Sequence, residues 1–367
     1  MKPDWPAPFA KDFLADLDDS LIRTKGDTRE ELAAMITSPR NERFPKVVVN
    51  RLWKQFMGAG FVDPVDDWEA SKPSHPELLD WLSREFVAHG YDQKHIARLI
   101  LNSRAYQRSS RQRDSGVKPD FSAPDQRRMT AEQVVDSLFF VAGKPLKSEE
   151  LTMDNDGTQS ASAMISLGHP RRAWEFTSLS NERDRPSLAI PQAQAVVDVL
   201  ENFGWRPSRQ EPKSLRETDP NMRQPAIVGN GSLGVWVTTL SEDHALTALA
   251  LQSDLSLDEL IDGVFLRVLT RRPNEEERGI YTELLREGFA GRIVPEDKRP
   301  PRIRRGPLKH VSWSNHLSEE ANRIKIELEK RAREGDPPTV ALRAGWRERL
   351  EDMLWSLMNS PEFVHLP

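Results

Sequence analysis

The sequence predicts a mainly α, multi-helical protein with an irregular, polar middle segment containing a few short strands. Three observations carry that prediction. Apolar residues recur at helical spacing towards both ends of the chain, several of those runs open on a capping pattern and close on Gly or Pro, and between about residues 151 and 240 Ser, Asn, Gly, Pro and Arg break the periodicity.

The first helical run carries Val49, Leu52, Trp53 and Phe56 and is closed by Gly58 and Gly60. Ser74 and Glu77 have capping-box spacing ahead of Leu78, Leu79, Leu82 and Phe86, with Gly90 as the stop. Asp92 is placed to cap a helix carrying Ile96, Leu99 and Ile100. Thr130 and Gln133 repeat the capping box before Val134, Val135, Leu138 and Phe139, and Gly143 ends that helix. In the middle segment Pro191 to Asn202 is the one good helix, and the β-branched runs Ala226 to Val228 and Val235 to Thr239 predict short strands.

Ser256 and Glu259 then cap Leu260, Ile261, Val264, Phe265, Val268 and Leu269, and Pro273 ends the run. Asn274 opens an acid-rich first turn, Glu275 to Glu277, suited to the positive end of a helix dipole. The last helix carries Trp346, Leu350, Met353, Leu354, Leu357 and Met358. Residues 111–124 and 295–307 predict exposed loops, and no fixed-period repeat points to a solenoid. The expected organisation is an N-terminal extension (1–25), a helical part (26–145), the irregular part (146–240) and a second helical part (241–367), intertwined as one domain.

Composition excludes several classes of function. With 52 basic and 57 acidic residues the net charge is -5, so no global field attracts nucleic acid, and any polyanion site must be local. The absence of cysteine rules out disulfides, thiolate chemistry, iron–sulfur clusters and covalent haem within the chain. The mean hydropathy of -0.62 describes a polar, water-soluble surface. No run approaches the ~20 apolar residues of a membrane span, and the first nine residues hold no apolar segment of signal-peptide type. Ten Trp against three Tyr favours the aromatic that fills cores and also stacks on sugars.

From Asn50 the chain reads NRLWKQFMGAGFVDPVDDW, and from Lys72 it reads KPSHPELLDWLSREFVAHGYDQKHIARLILNSRAYQRSS. With RRMTAEQVVDSL from Arg127, RRAWEFTSLSNERDRPSLAIPQAQAVVDVLENFGW from Arg171, QPAIVGNG from Gln224, FLRVLTRRP from Phe265 and LWSLMNSPEF from Leu354, these stretches span most of the sequence. They resemble the planctomycete-type domain of unknown function 1553. The resemblance implies an exported or periplasmic setting and, as partners, a cytochrome-like module or a second uncharacterised domain. It implies no established activity.

Two groups of residues carry candidate chemistry. Asp66, Asp67 and His75, within a set that also holds Asp63, Glu69, Glu77 and Asp80, are the candidate ligands for a divalent metal, or an acid–base set. The plainer alternative is loop and capping structure. Arg171, Arg172, Trp174, Glu175, Asn181, Glu182, Arg183, Asp184 and Arg185 form the best ligand-binding candidate, because guanidinium groups grip carboxylate or phosphate bidentately while Trp stacks on a ring. Its alternative is an internal ion-pair network.

Other patterns argue against chemistry. Gly229, Gly231 and Gly234 have GxGxxG spacing without the strand–helix context of a nucleotide site. No His pair has zincin spacing, and His244 follows Ser241 in a helix-start pattern. Lys298, Arg299, Arg302, Arg304, Arg305 and Lys309 form a basic stretch that reads first as a solvated flexible loop and otherwise as a contact for an acidic surface, anionic lipid or polyanionic glycan. The expected function is therefore a non-catalytic binding or assembly domain in an extracytoplasmic setting, with an anionic glycan as a candidate partner and nucleic acid disfavoured. The rival expectation is a metal-assisted hydrolase acting on glycans.

Overall fold

The computed structural model describes residues 28–69, 72–113, 117–153, 165–176, 190–205, 221–302, 305–306, 308–309, 311 and 317–366. The fold is mainly helical, and its strands are only two to four residues long, as in Leu151–Met153 paired antiparallel with Ile165–Gly168. The chain divides into two compact units, one running to Arg127 and the other from Arg128 to Leu366. No helix is long and apolar enough to cross a membrane among the described residues.

In the N-terminal unit α1 (Thr28–Thr37) precedes three helices that build the core: α2 (Arg43–Met57), α3 (Pro76–Ala88) and α4 (Gln93–Leu101). Val49, Trp53 and Met57 lie four residues apart on one face of α2, and they meet Leu79, Leu82 and Phe86 of α3 and Ile96 and Ile100 of α4 in one buried cluster. Trp53 stacks on Phe61 at 4.5 Å between centroids and meets Phe121 edge-on at 5.3 Å. The predicted stop at Gly58 is present, with φ of 92° and its N–H bonded to the Lys54 carbonyl. Asp92 accepts from the Lys94 N–H at 2.7 Å, as its spacing predicts.

The Ser74–Glu77 capping box does not form. Pro76 takes the first helical position, which makes His75 the N-cap, and His75 makes no side-chain capping bond. Ser74 instead donates its backbone N–H to Phe61 and lies 3.1 Å from His75 Nδ1 through its hydroxyl.

The C-terminal unit contains α5 (Ala131–Ala142), α6 (Pro191–Asn202), α7 (Arg223–Asn230), α8 (Ser232–Thr238), α9 (Ala245–Ala250), α10 (Leu257–Leu269), α11 (Glu275–Arg286), α12 (Glu319–Glu334) and α13 (Ala344–Met358). Both side-chain and backbone arms of the capping boxes at Thr130–Gln133, Ser256–Glu259 and Asn274–Glu277 are made. The strands expected at Ala226 to Val228 and Val235 to Thr239 are helical. Leu233, Trp236, Val237 and Leu240 repeat at i, i+3, i+4 and i+7 and are all buried, so tertiary burial of a helical face outweighs β-branched propensity.

Helix α8 is the hub of this unit, packing on α5, α6, α7, α12 and α13. Gly231 ends α7 and opens α8, and at Gly234 a Cβ would overlap the Val228 carbonyl oxygen. The GNGSLG motif is thus a helix-to-helix corner that needs bare backbone.

His244 starts α9 from a buried position, 1% exposed. Its Nε2–H donates to the Val237 carbonyl at 3.0 Å and its Nδ1 accepts from the Leu246 N–H at 3.1 Å, which requires the neutral ring. A proton on Nδ1 would face another donor. Burial, with Lys144 and Arg267 nearby, brings its pKa down to about 4 from an ordinary 6.5.

Two predictions follow from these contacts. Gly234→Ala should destabilise the C-terminal unit by about 1–3 kcal/mol through overpacking against fixed backbone. Gly279→Ala, in open space on α11, should stabilise by about 0.5–1 kcal/mol, and denaturant midpoints moving in the same direction for both would contradict the corner. For His244 the depressed folded pKa means that the unfolded chain takes up the proton first as pH falls. The stabilisation is complete above about pH 6.5 and disappears towards pH 4, with an order of magnitude of about 3 kcal/mol. His244→Asn keeps a cap acceptor but does not titrate, so unfolding free energies measured across that window should decline less steeply than wild type. Parallel pH profiles would rule the mechanism out.

Candidate functional site

The segment containing Asp66, Asp67 and His75 is tied down by local bonds. Asn50, fully buried on α2, donates its amide to the Val62 carbonyl at 2.9 Å and accepts the Val62 N–H at 3.1 Å. Arg51 pairs with Asp66 at 2.6 Å and Lys54 with Asp63 at 3.0 Å, so α2 neutralises two of the loop's carboxylates. Asp67 turns the chain through its N–H to the Pro64 carbonyl at 3.1 Å, and the Trp68 indole donates to Val65 at 2.8 Å. His75 lies against the Phe61 and Phe121 rings. Among the described residues the grouping of three His, Asp or Glu side chains that could hold a metal is a different one, Glu85, His89 and His95.

Of the second candidate set, Arg171, Arg172, Trp174 and Glu175 are described, and Asn181, Glu182, Arg183, Asp184 and Arg185 lie outside the described residues. Ala173–Glu175 is a single 3₁₀ turn anchored to α5 by the Ala173 N–H on Asp136, 3.0 Å long. The Glu175 carboxylate accepts the Arg171 backbone N–H at 2.8 Å and so closes the turn on itself. Arg171 and Arg172 are exposed, and Trp174 keeps 64% of its surface in solvent.

A cleft of about 220 Å³ in the C-terminal unit gathers charged groups that no short stretch of sequence joins. Its floor includes Phe139 of α5, Trp236 of α8 and the nearly buried Lys144, and Lys147, Arg305 and Arg331 line it with Asp243 and Asp336. Lys144, whose side chain is 6% exposed, donates to the Trp236 carbonyl at 3.1 Å and pairs with Asp336 at 3.2 Å. Arg305 donates to the Gly335 carbonyl at 2.8 Å and pairs with Glu334 at 2.7 Å. Arg331 is held by Glu327 at 2.8 Å and the Gly306 carbonyl at 2.7 Å. These bonds fix the guanidinium planes before any ligand arrives. Burial pushes the Asp243 carboxyl up, yet the Ser241 hydroxyl at 2.6 Å and the charges of Lys144 and Lys147 outweigh it and hold Asp243 below the ordinary carboxylate range.

The described part of the basic loop is mostly exposed, as its composition predicts, and several of its cations are paired with nearby carboxylates. Arg299 pairs with Glu296, Arg302 with Glu242 at 3.1 Å and Lys309 with Glu320 at 2.6 Å, while Arg305 joins the cleft; Arg304 lies outside the described residues.

Residues 28–285 match the model of the family described as a protein of unknown function (DUF1553). That is well over half of the chain, which therefore belongs to this family. No curated protein and no solved structure matches it.

Proposed function

We propose that this member of the DUF1553 family is a non-catalytic binding domain that takes an anionic group, of the kind an acidic glycan presents, in the Lys144–Arg331 cleft. The observation that carries the proposal is the convergence of four cations, Lys144, Lys147, Arg305 and Arg331, on one cleft lined by two carboxylates, Asp243 and Asp336, in a chain whose net charge is -5, with Glu327 and Glu334 orienting the guanidinium groups from outside the lining. Such a local cluster of cation donors on a negative protein favours anions without general attraction to polyanions. The pre-bonded guanidinium groups lower the ordering cost of binding, and the aromatic floor offers apolar surface to a ring.

A binding role also fits the acid–base character of the cleft. Asp243 stays ionised among its cationic neighbours, so it neutralises charge and holds no proton to donate near neutral pH. The exposed Trp174, beside Arg171 and Arg172, provides a second stacking surface on an element anchored to α5, the helix that also supplies Phe139 to the cleft.

Calorimetric titration of the full chain with polygalacturonate should show binding that weakens with added salt, and dextran, a neutral polymer, should give none. Lys147→Glu, at an exposed rim position, should reduce the affinity for polygalacturonate roughly tenfold or more while leaving the melting temperature unchanged. Equal affinity for the neutral and acidic polymers, or an unchanged affinity in Lys147→Glu, would contradict the proposal.

A further inference from the structure

We propose that Glu85, His89 and His95 form a binding site for one divalent transition-metal ion of the zinc or cobalt type, in the N-terminal unit. The fold brings the three together in two steps. Glu85 and His89 are four residues apart and share one face of α3 at its C-terminal end. Gly90 and Tyr91, both with φ of 63°, then reverse the chain, and Asp92 caps α4 so that His95 in its first turn folds back over the end of α3.

The distances between the three side chains fit a metal site. Glu85 Oε2 is 3.3 Å from His95 Nε2 and 3.4 Å from His89 Nδ1. Both separations exceed the roughly 2.7–2.9 Å of a charge-assisted N–H···O bond. The Glu85–His95 separation equals the edge of about 3.3–3.4 Å that two donors make when each is about 2.0–2.1 Å from a tetrahedral centre, and His89 is close enough to join them once its ring turns. One ligand atom from each of the three residues lies within 4.8 Å of the others. Two imidazoles and a carboxylate suit zinc, cobalt or nickel, and they leave a fourth position for water.

The cost of closing the site is small. The His89 and His95 rings lie nearly parallel with centroids 3.7 Å apart, so His89 must turn about its Cβ–Cγ bond to aim at a shared ion. Its side chain, at the helix end, is 47% exposed and has room to turn. Turning breaks the 2.9 Å contact of its Nδ1 with the Glu85 carbonyl. That carbonyl still accepts the His89 backbone N–H at 3.1 Å, so no helix-end acceptor is orphaned. The ion would then tie the end of α3 to the start of α4.

The test uses the full chain, freed of metal by a chelator and titrated with Co²⁺. Wild type should develop the intense visible bands of tetrahedral cobalt at one equivalent per chain, Zn²⁺ should displace them, and Zn²⁺ should raise the melting temperature. His95→Ala and His89→Ala, each losing one ligand, should weaken Co²⁺ binding by more than the roughly 10–100-fold typical of losing an outer-shell partner, while His75→Ala should bind like wild type. Absence of the cobalt bands and of any zinc-induced stabilisation in wild type would overturn the proposal, as would wild-type binding by both His89→Ala and His95→Ala. Loss of binding in His75→Ala with retention in His95→Ala would place the ion in the Asp66 loop instead.

Discussion

The constraint that organises this protein is the satisfaction of helix ends. Each α-helix leaves four N–H and four C=O groups without partners, and here the helices are as short as the six residues of Ala245–Ala250, so a large share of the backbone would be orphaned on burial. Some ends are closed by neighbours in sequence, as at Thr130, Ser256 and Asn274. Others are closed from far away. Glu149 accepts the Gln192 and Ala193 N–H groups at the start of α6, and in the connection that follows α8 Glu351 accepts the Leu240 N–H at 2.8 Å. Arg292, 3% exposed, donates to the carbonyls of Ala250, Gln252 and Phe289 and rests on the Phe289 ring at 4.0 Å. Among the described residues no carboxylate pairs with it, so its charge is compensated by helix-end dipoles and an aromatic face.

That distinction sets how much of the fold could be read in advance. A cap whose partner is two or three residues away is visible in sequence, and the boxes at Thr130, Ser256 and Asn274, the Asp92 cap and the Gly58 stop all formed as their spacing predicts. Ser74 and Glu77 had the same spacing, but Pro76 between them moved the helix start by one residue. The runs at Ala226 and Val235 carried two signals at once, and the helical period prevailed because Leu233, Trp236, Val237 and Leu240 are buried together. Helix α12 was illegible for the opposite reason: Ala321 and Ala332 are its only buried residues, so almost no apolar face marks it.

The sites divide in the same way. The residues of the C-terminal cleft come from Phe139 to Asp336, a separation no sequence window spans, and the cleft exists only because α5, α8 and α12 pack together. Glu85, His89 and His95 fall within eleven residues, but their spacing acquires meaning only once Gly90 and Tyr91 reverse the chain. The stretch from Asn50 to Trp68, by contrast, is legible as a family signature, and its bonds are structural: Asn50 on Val62, Arg51 on Asp66, Lys54 on Asp63. The most recognisable part of the sequence therefore builds the N-terminal unit, and the charged cleft lies in the other unit.

Amide hydrogen exchange of the full chain with and without polygalacturonate tests the proposed binding in that cleft most directly. Protection should rise in the segments that supply Phe139 to Lys147, Trp236, Arg305 and Arg331 to Asp336, with the Asn50 to Trp68 stretch unchanged. Protection concentrated in the Asn50 to Trp68 stretch, or absent throughout at saturating polymer, would contradict the proposed site.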